Sequence, residues 1–449
     1  MTTRLEQYWQ QLRESLWFVP GLMVLSSFGL AYGLIELDLH TPWNTLKPFP
    51  LLFGSGTEGS RAMLTAIAGS MLTVAALAFS LTLSTITQVS SQYSPRVLRN
   101  FMRDRVNQIV MGYFVSVFTY CLIVLGTIRS TDEGKFVPPT AVLAGLILAL
   151  GGVAALIFFI HHISESLQTG TIVRYIYTET TAAIDRLFPD RLGEPVENPA
   201  QVENSLKLLN EKATWCTVRA KQAGYLQQIN SDGLLDWATH HKAIIRIEQE
   251  VGAFVSEDTS IFRVCLDKER HDDEKESVDV DSLLRFVSVG RHRSIEQDVA
   301  FGIQQLVDIA LKALSPGIND TTTAIMAIDY LSAVSERLTK RQFPARLRSD
   351  KEQVRVFVKA ADFSDYIQLA FDSLRISAKG NFAVFVRLMR ALSAASTVTT
   401  ATDRKSVLDQ QARLVLTYAD QTLTTDYETQ QVRALYDELK DTWKIHESV

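Results

Sequence analysis

Apolar positions crowd into four nearly continuous runs between Leu16 and Ile163. Beyond them they thin to the spacing of amphipathic helices and short strands. A helix needs about 20 predominantly apolar residues to cross the hydrocarbon core of a bilayer. Leu16–Leu37, Ala62–Gln88, Gln108–Ile128 and Thr140–Ile163 meet that length. The first run is longer than the roughly 7 to 15 residues of a cleavable signal's apolar region, and no small-residue cleavage site follows it. The pattern therefore predicts a transmembrane domain over 1–163 with four helices, at about 16–37, 62–88, 108–128 and 140–163. Whole-chain averages conceal the division: 47% hydrophobic residues and a mean hydropathy of +0.06 blend an apolar third with a polar remainder.

The short connections predict orientation, because basic residues accumulate on the cytoplasmic side. Arg96, Arg99, Arg103 and Arg105 lie between the second and third runs. The next connection has only Arg129 and Lys135, beside Asp132 and Glu133. The four-arginine loop is thus expected in the cytoplasm, and an even number of spans puts the N- and C-termini there too. Cys121, Cys216 and Cys265 form no C-x-x-C pair and fit free thiols in a reducing compartment.

The second run is differentiated around its circumference. At 100° per residue, Ala66, Gly69, Thr73, Ser80, Ser84, Thr87 and Ser91 share one narrow face, with Leu72, Phe79, Leu83 and Ile86 expected roughly opposite. Small hydroxylic residues let helix backbones approach and bond across the contact. The same row can also wet a conduit in an oligomer. In that case Thr73, Leu77, Ser80, Ser84, Thr87 and Ser91 line the pore, and Leu77 forms an apolar constriction. Arg96, Arg99 and Arg103 follow at helical spacing. They can contact anionic headgroups or ring a cytoplasmic mouth. His161, His162 and Glu165 end the fourth run, too few for a metal site and more in keeping with the membrane interface.

After the membrane part, 164–212 reads as a helical connector, broken by Gly193–Asn198 and resumed over Pro199–Lys212. The β-branched stretches Thr214–Ala220, Lys242–Glu248 and Ile261–Leu266, with turns near Ala223–Leu226 and Val251–Val255, predict a small β-module over 213–267. Its Gly-Tyr-Leu and Gly-x-Phe-Val pattern resembles compact barrel-sandwich modules of biotinyl and lipoyl type. No lysine occupies a modifiable turn, which points to a structural or docking role. Asp267–Glu276 reads as a charged loop, and 268–449 as a helical cytoplasmic domain, with Ser349–Ala360 ambiguous between helix and strand. The fold class is thus membrane α-helical plus an α+β cytoplasmic domain, a small β-barrel-like module followed by a helical region. Asp362, Asp365 and Asp372 lack a glycine-turned calcium loop and read as a solvated helix face.

Ser315-Pro-Gly-Ile-Asn-Asp320 joins a helix over Val299–Leu314 to the next one. Pro316 and Gly317 stop the first helix, and Asn319 or Asp320 can cap the second. Arg291, Arg293, Asp298, Asp308, Asn319 and Asp320 either hold this corner shut or form a ligand or subunit contact. That hexapeptide, the stretch Gln92–Leu98 and the four spans closely resemble a family of predicted bacterial inner-membrane proteins known as a domain of unknown function. The family usually carries proline where Thr321 stands here. The resemblance implies multi-pass residence in the bacterial plasma membrane and brings no catalytic or transport residues.

No G-x-S-x-G, P-loop, G-x-G-x-x-G or metal constellation points to an enzyme. No cofactor and no nucleic-acid partner is expected; the expected partners are the lipid bilayer, further copies of the chain and ions. Two functions stay open: an oligomeric ion channel or gated pore with a cytoplasmic regulatory domain, and a membrane-anchored sensor or scaffold whose cytoplasmic domain binds a ligand or protein.

Overall fold

The computed structural model describes residues 17–40, 56–92, 104–131, 134–166, 168–188, 215–266, 279–295, 297–343, 347–349 and 354–447. The chain divides into two compact units, Met1–Thr171 and Ile172–Val449. The helix expected at Pro199–Lys212 and the loop at Asp267–Glu276 lie outside the described residues.

The first unit contains α1 (Phe18–His40), α2 (Thr57–Gln92), α3 (Arg105–Thr127) and α4 (Pro139–Ser166), each long and apolar enough to cross a membrane. Helix α3 is the centre, packing against the other three. Its Phe114, Val117, Tyr120, Cys121 and Val124 are buried, while Leu22, Phe28, Ile147, Leu150 and Ile157 of α1 and α4 point outward. At the α1–α3 crossing a β-carbon on Gly112 would stand 2.9 Å from Pro20 Cα, so the backbones meet there only because 112 lacks a side chain. A short hairpin, β1 (Arg129–Thr131) and β2 (Gly134–Phe136), joins α3 to α4.

Three polar ties fix an up-down-up-down arrangement. Asp38, near the end of α1, accepts from the Thr140 and Ala141 amides, each at 3.1 Å, in the open first turn of α4. Arg61, in the first turns of α2, donates to the Ile128 carbonyl just past α3 at 2.9 Å. At the other end of the bundle, Asp104 caps α3 through the Val106 amide (2.9 Å) and meets His162 Nε2 of α4 at 2.6 Å. Within the apolar layer, Tyr113 and Tyr120 donate to the Leu148 and Ala141 carbonyls of α4, both at 2.7 Å. These bonds avoid bare hydroxyls in a medium without water.

In the second unit, α5 (Thr169–Leu187) leads to a mixed sheet region. The strands are β3 (Trp215–Arg219), β4 (Gly224–Ile229), β5 (Ile244–Ile247), β6 (Phe254–Val255), β7 (Ser260–Cys265), β8 (Val287–Gly290), β9 (Leu347–Ser349) and β10 (Val354–Phe357). They form one sheet in the order β3-β7-β5-β10-β9 and another in the order β6-β4-β8. Only β5–β10 is parallel. Both sheets are open, so the barrel-like expectation becomes two small sheets around Val218, Leu226, Ile245, Phe262, Val264 and Val356. Closure fails because the outer strands β3, β9, β6 and β8 find no second partner among the described residues.

Two differences from the sequence pattern have distinct causes. Ser231–His240 forms a helix, α6, inside the stretch read as a β-module. Asn230 caps it through the Gly233 amide at 3.0 Å, and Leu234, Trp237 and Ala238 bury its inner face. Strands β8, β9 and β10 fall in the stretch read mainly as helical: β8 pairs with β4 and β10 with β5, both far away in sequence, and β9 joins as the edge partner of β10. Helices α7 (Val299–Ala313), α8 (Thr321–Lys340), α9 (Phe363–Ser377), α10 (Phe382–Thr397), α11 (Thr402–Thr422) and α12 (Asp426–Glu447) pack around Leu306, Leu331, Phe371, Phe385 and Leu388.

Candidate functional site

Helix α2 carries two opposed seams. Leu64, Ala68, Met71, Ala75, Ala78, Thr82 and Thr85 are buried at alternating spacings of four and three, and form its contact with the rest of the first unit. The hydroxylic row lies on the opposite side. Thr73, Ser80, Ser84 and Thr87 are exposed, and so is Leu77, at 52%. Among the described residues no helix covers this face, and Phe79 and Leu83, expected roughly opposite, stand exposed beside it. Thr73 donates to the Gly69 carbonyl and Thr87 to the Leu83 carbonyl, both at 2.9 Å. Ser80 and Ser84 have no side-chain partner among the described residues. Ser91 continues the row by its position on α2; Arg96, Arg99 and Arg103 lie outside the described residues.

The second-unit cluster resolves into separate parts. Arg293 grips Asp298 through Nε at 2.7 Å and Nη2 at 2.9 Å. The buried Asp298 also caps α7 through the Phe301 amide at 2.9 Å. One helix away, Asp320 caps α8 through the Thr323 amide (3.0 Å) and accepts the Thr323 hydroxyl (2.6 Å), and these bonds hold its carboxyl below the usual range. Asn319 takes the left-handed conformation with φ 49°, and its amide bonds to the Ser315 carbonyl at 2.9 Å. The two capping aspartates stand at opposite ends of the 15-residue α7, about 22 Å apart along its axis. Asp308 accepts from Gln304 at 2.8 Å, and Arg291 is exposed. Thr321 has a role that proline could not fill: its hydroxyl accepts from Asn381 Nδ2 at 2.9 Å, tying the start of α8 to the residue that caps α10.

Of the three aspartates read as a solvated face, two make local bonds and Asp372 also accepts from Gln411 of α11 at 3.1 Å. Asp362 and Asp365 form a reciprocal capping box on α9, and Asp372 pairs with Arg375 at 3.0 Å. His161 and Glu165 are exposed and 4.0 Å apart. Among the described residues no group of three metal-ligating side chains assembles.

Sequence reasoning missed a more concentrated cluster. Asp185 of α5 receives a two-point contact from Arg337 of α8, with Nε at 2.7 Å, and a further bond from Arg341 Nη2 at 2.7 Å. The hydrogen bond from Arg337 is the chief reason that the Asp185 carboxyl sits below its ordinary range. The only signal in the sequence is the i, i+4 spacing of the two arginines; nothing local names an acid 152 residues away.

Comparison with known proteins places this architecture. The model of the family described as predicted membrane protein, DUF2254, matches residues 13–394. The chain belongs to that family. The match takes in all four candidate spans, the sheets and the helices through most of α10, so the family unites a membrane part with the second unit. Two Mycobacterium tuberculosis proteins described as uncharacterized, MT1328 and Rv1290c, are 30% identical over 421 residues, spanning 93% of this chain and 78% of theirs. The Mycobacterium bovis protein Mb1321c matches to the same extent. No solved structure matches. The family membership and four apolar helices make this a membrane protein, in contact with the bilayer.

Proposed function

We propose that this family member is an oligomeric channel or gated pore of the bacterial plasma membrane, with the exposed hydroxylic row of α2 turned toward a symmetry axis. The observation that carries this reading is the two-seam construction of α2. One heptad-like seam satisfies the protomer, while a second, of small and hydroxylic residues, stays open along the apolar span. Bare lipid gives such a row no advantage, whereas a neighbouring α2 or a water column gives its oxygens partners. Leu77, Ser80, Ser84 and Thr87 then face the conduit, with Thr73 and Ser91 at either end of the row. Arg96, Arg99 and Arg103 would surround a cytoplasmic mouth and favour anions. The arginine-rich loop and the up-down-up-down ties support cytoplasmic termini and a cytoplasmic second unit, which in this reading would act as regulator.

Purified protein in liposomes is expected to conduct ions, and Leu77→Glu or Ser80→Trp to change that conductance. Cysteine at Ser84 is expected to cross-link between copies. An absence of current under potential, tension and pH changes overturns the pore. The alternative, an anchored sensor or scaffold, draws on the separate core of the second unit; a non-conducting protein that captures a partner through 172–449 would favour it.

A further inference from the structure

Beside the Asp185 cluster lies a cavity of about 470 Å³, lined by Tyr177 of α5, by Ala333, Glu336, Arg337 and Lys340 of α8, and by Arg341. This volume falls within the ordinary range of small-molecule sites. Among the described residues that line it, taken with Asp185, three cations meet two carboxylates, Glu336 and Asp185. Asp185 fixes the guanidinium of Arg337 at two points and holds Arg341 at 2.7 Å. Two fork-shaped donors are therefore already oriented without a ligand, which removes much of the ordering cost of binding. Arg337 has donors left beyond those spent on Asp185, and Lys340, exposed, has no ion-pair partner among the described residues. Tyr177 supplies an aromatic wall, itself braced by Tyr330 at 5.2 Å.

A pair of oriented guanidiniums with an added ammonium is the arrangement that recognises a phosphate dianion. The cavity is larger than inorganic phosphate requires, and its remaining wall, Tyr177 and Ala333, is suited to an organic substituent. We infer that this cavity binds a phosphate monoester, with the phosphate at Arg337, Lys340 and Arg341 and the organic group against Tyr177. The inference concerns the second unit alone and does not depend on the pore reading. The same chemistry is offered by a soluble phosphorylated molecule and by the headgroup of phosphatidate.

The test is calorimetric titration of the full-length protein in detergent with inorganic phosphate and with phenyl phosphate, at matched ionic strength with chloride as control. Flotation with phosphatidylcholine vesicles, with and without phosphatidate, forms the second arm, read as the difference between wild-type and variant protein. Saturable binding of phenyl phosphate, tighter than that of inorganic phosphate, is expected. Lys340→Gln, which leaves the Asp185 ties intact, should weaken it about tenfold with the melting temperature of the free protein unchanged. Arg337→Lys keeps the charge but loses the fork and should weaken it further. A Lys340-dependent gain on phosphatidate vesicles without binding of the soluble probes assigns the site to a lipid headgroup. Absence of saturable binding in both arms, or binding that ignores Lys340→Gln, overturns the inference.

Discussion

Arg404 of α11 reaches the end of α8, where its guanidinium donates to the carbonyls of Thr339 and Arg341 and lies over the rings of Phe343 and Phe363 at 5.6 and 5.5 Å. A helix end leaves carbonyls without partners, and a charged donor satisfies two of them here. Arg404→Met should lower the stability of the second unit by about 1.5–3 kcal/mol, measured by denaturant unfolding followed through circular dichroism. Arg404→Lys should recover part of the loss. Asp320 carries a pH-dependent contribution of known sign. Its folded carboxyl lies below the unfolded value of about 3.9, because it accepts the hydroxyl and amide of Thr323. That stabilisation is complete above the unfolded value and is lost as pH falls through the folded one. Asp320→Asn should therefore be less stable at neutral pH, and the difference from the native protein should shrink on acidification below about pH 4. Thermal melts of both proteins across that window decide it. The capping role was legible in the Ser315–Asp320 string, since Asp before a helix has few other uses. The bond from Asn381 to Thr321 was not, because a contact across 60 residues leaves no local pattern.

Among the elements, α5 and α7 approach each other where Gly302 faces Thr180. A β-carbon at 302 would overlap the Thr180 hydroxyl and stand 2.9 Å from its Cβ and Cγ2. Both positions are buried, so neither side chain can swing into solvent. Gly302→Ala should cost about 1–3 kcal/mol through overpacking. Thr180→Ala removes two of the three overlapping atoms, so the double variant should regain part of that loss; strict additivity of the two changes in a melting experiment would refute the contact. The helices themselves were readable because 3.6-residue periodicity is a local property. Strands of three or four residues such as β8 and β10 depend on partners outside any local window. Even Val354, Val356 and Phe357, apolar and β-branched or aromatic, left that segment ambiguous. The short α6 falls inside a stretch dominated by strand patterns, and the Asn230 cap on the Gly233 amide starts it.

At the scale of the whole molecule, the division between an apolar first unit and a mixed second unit was visible in the hydropathy of the sequence. Bilayer length is a simple constraint that four runs of more than 20 residues satisfy directly. The outward placement of the hydroxylic row was not visible, because periodicity identifies a face without saying which neighbour it meets. The proposed orientation rests on charge in the connections, and the native cysteines offer a direct check of it. Cys216 lies exposed in the second unit, while Cys121 is buried among the membrane helices. A membrane-impermeant maleimide should therefore leave the protein unlabelled in intact spheroplasts and modify Cys216 in inverted membrane vesicles. Thr45→Cys, in the connection that should lie outside, should show the reverse pattern in a Cys216→Ser background. Labelling of Cys216 from outside intact cells would place the second unit beyond the plasma membrane. The arginine-rich connection would then lie outside as well, since the ties between Asp104 and His162 and between Asp38 and Thr140 fix the alternation of the four helices.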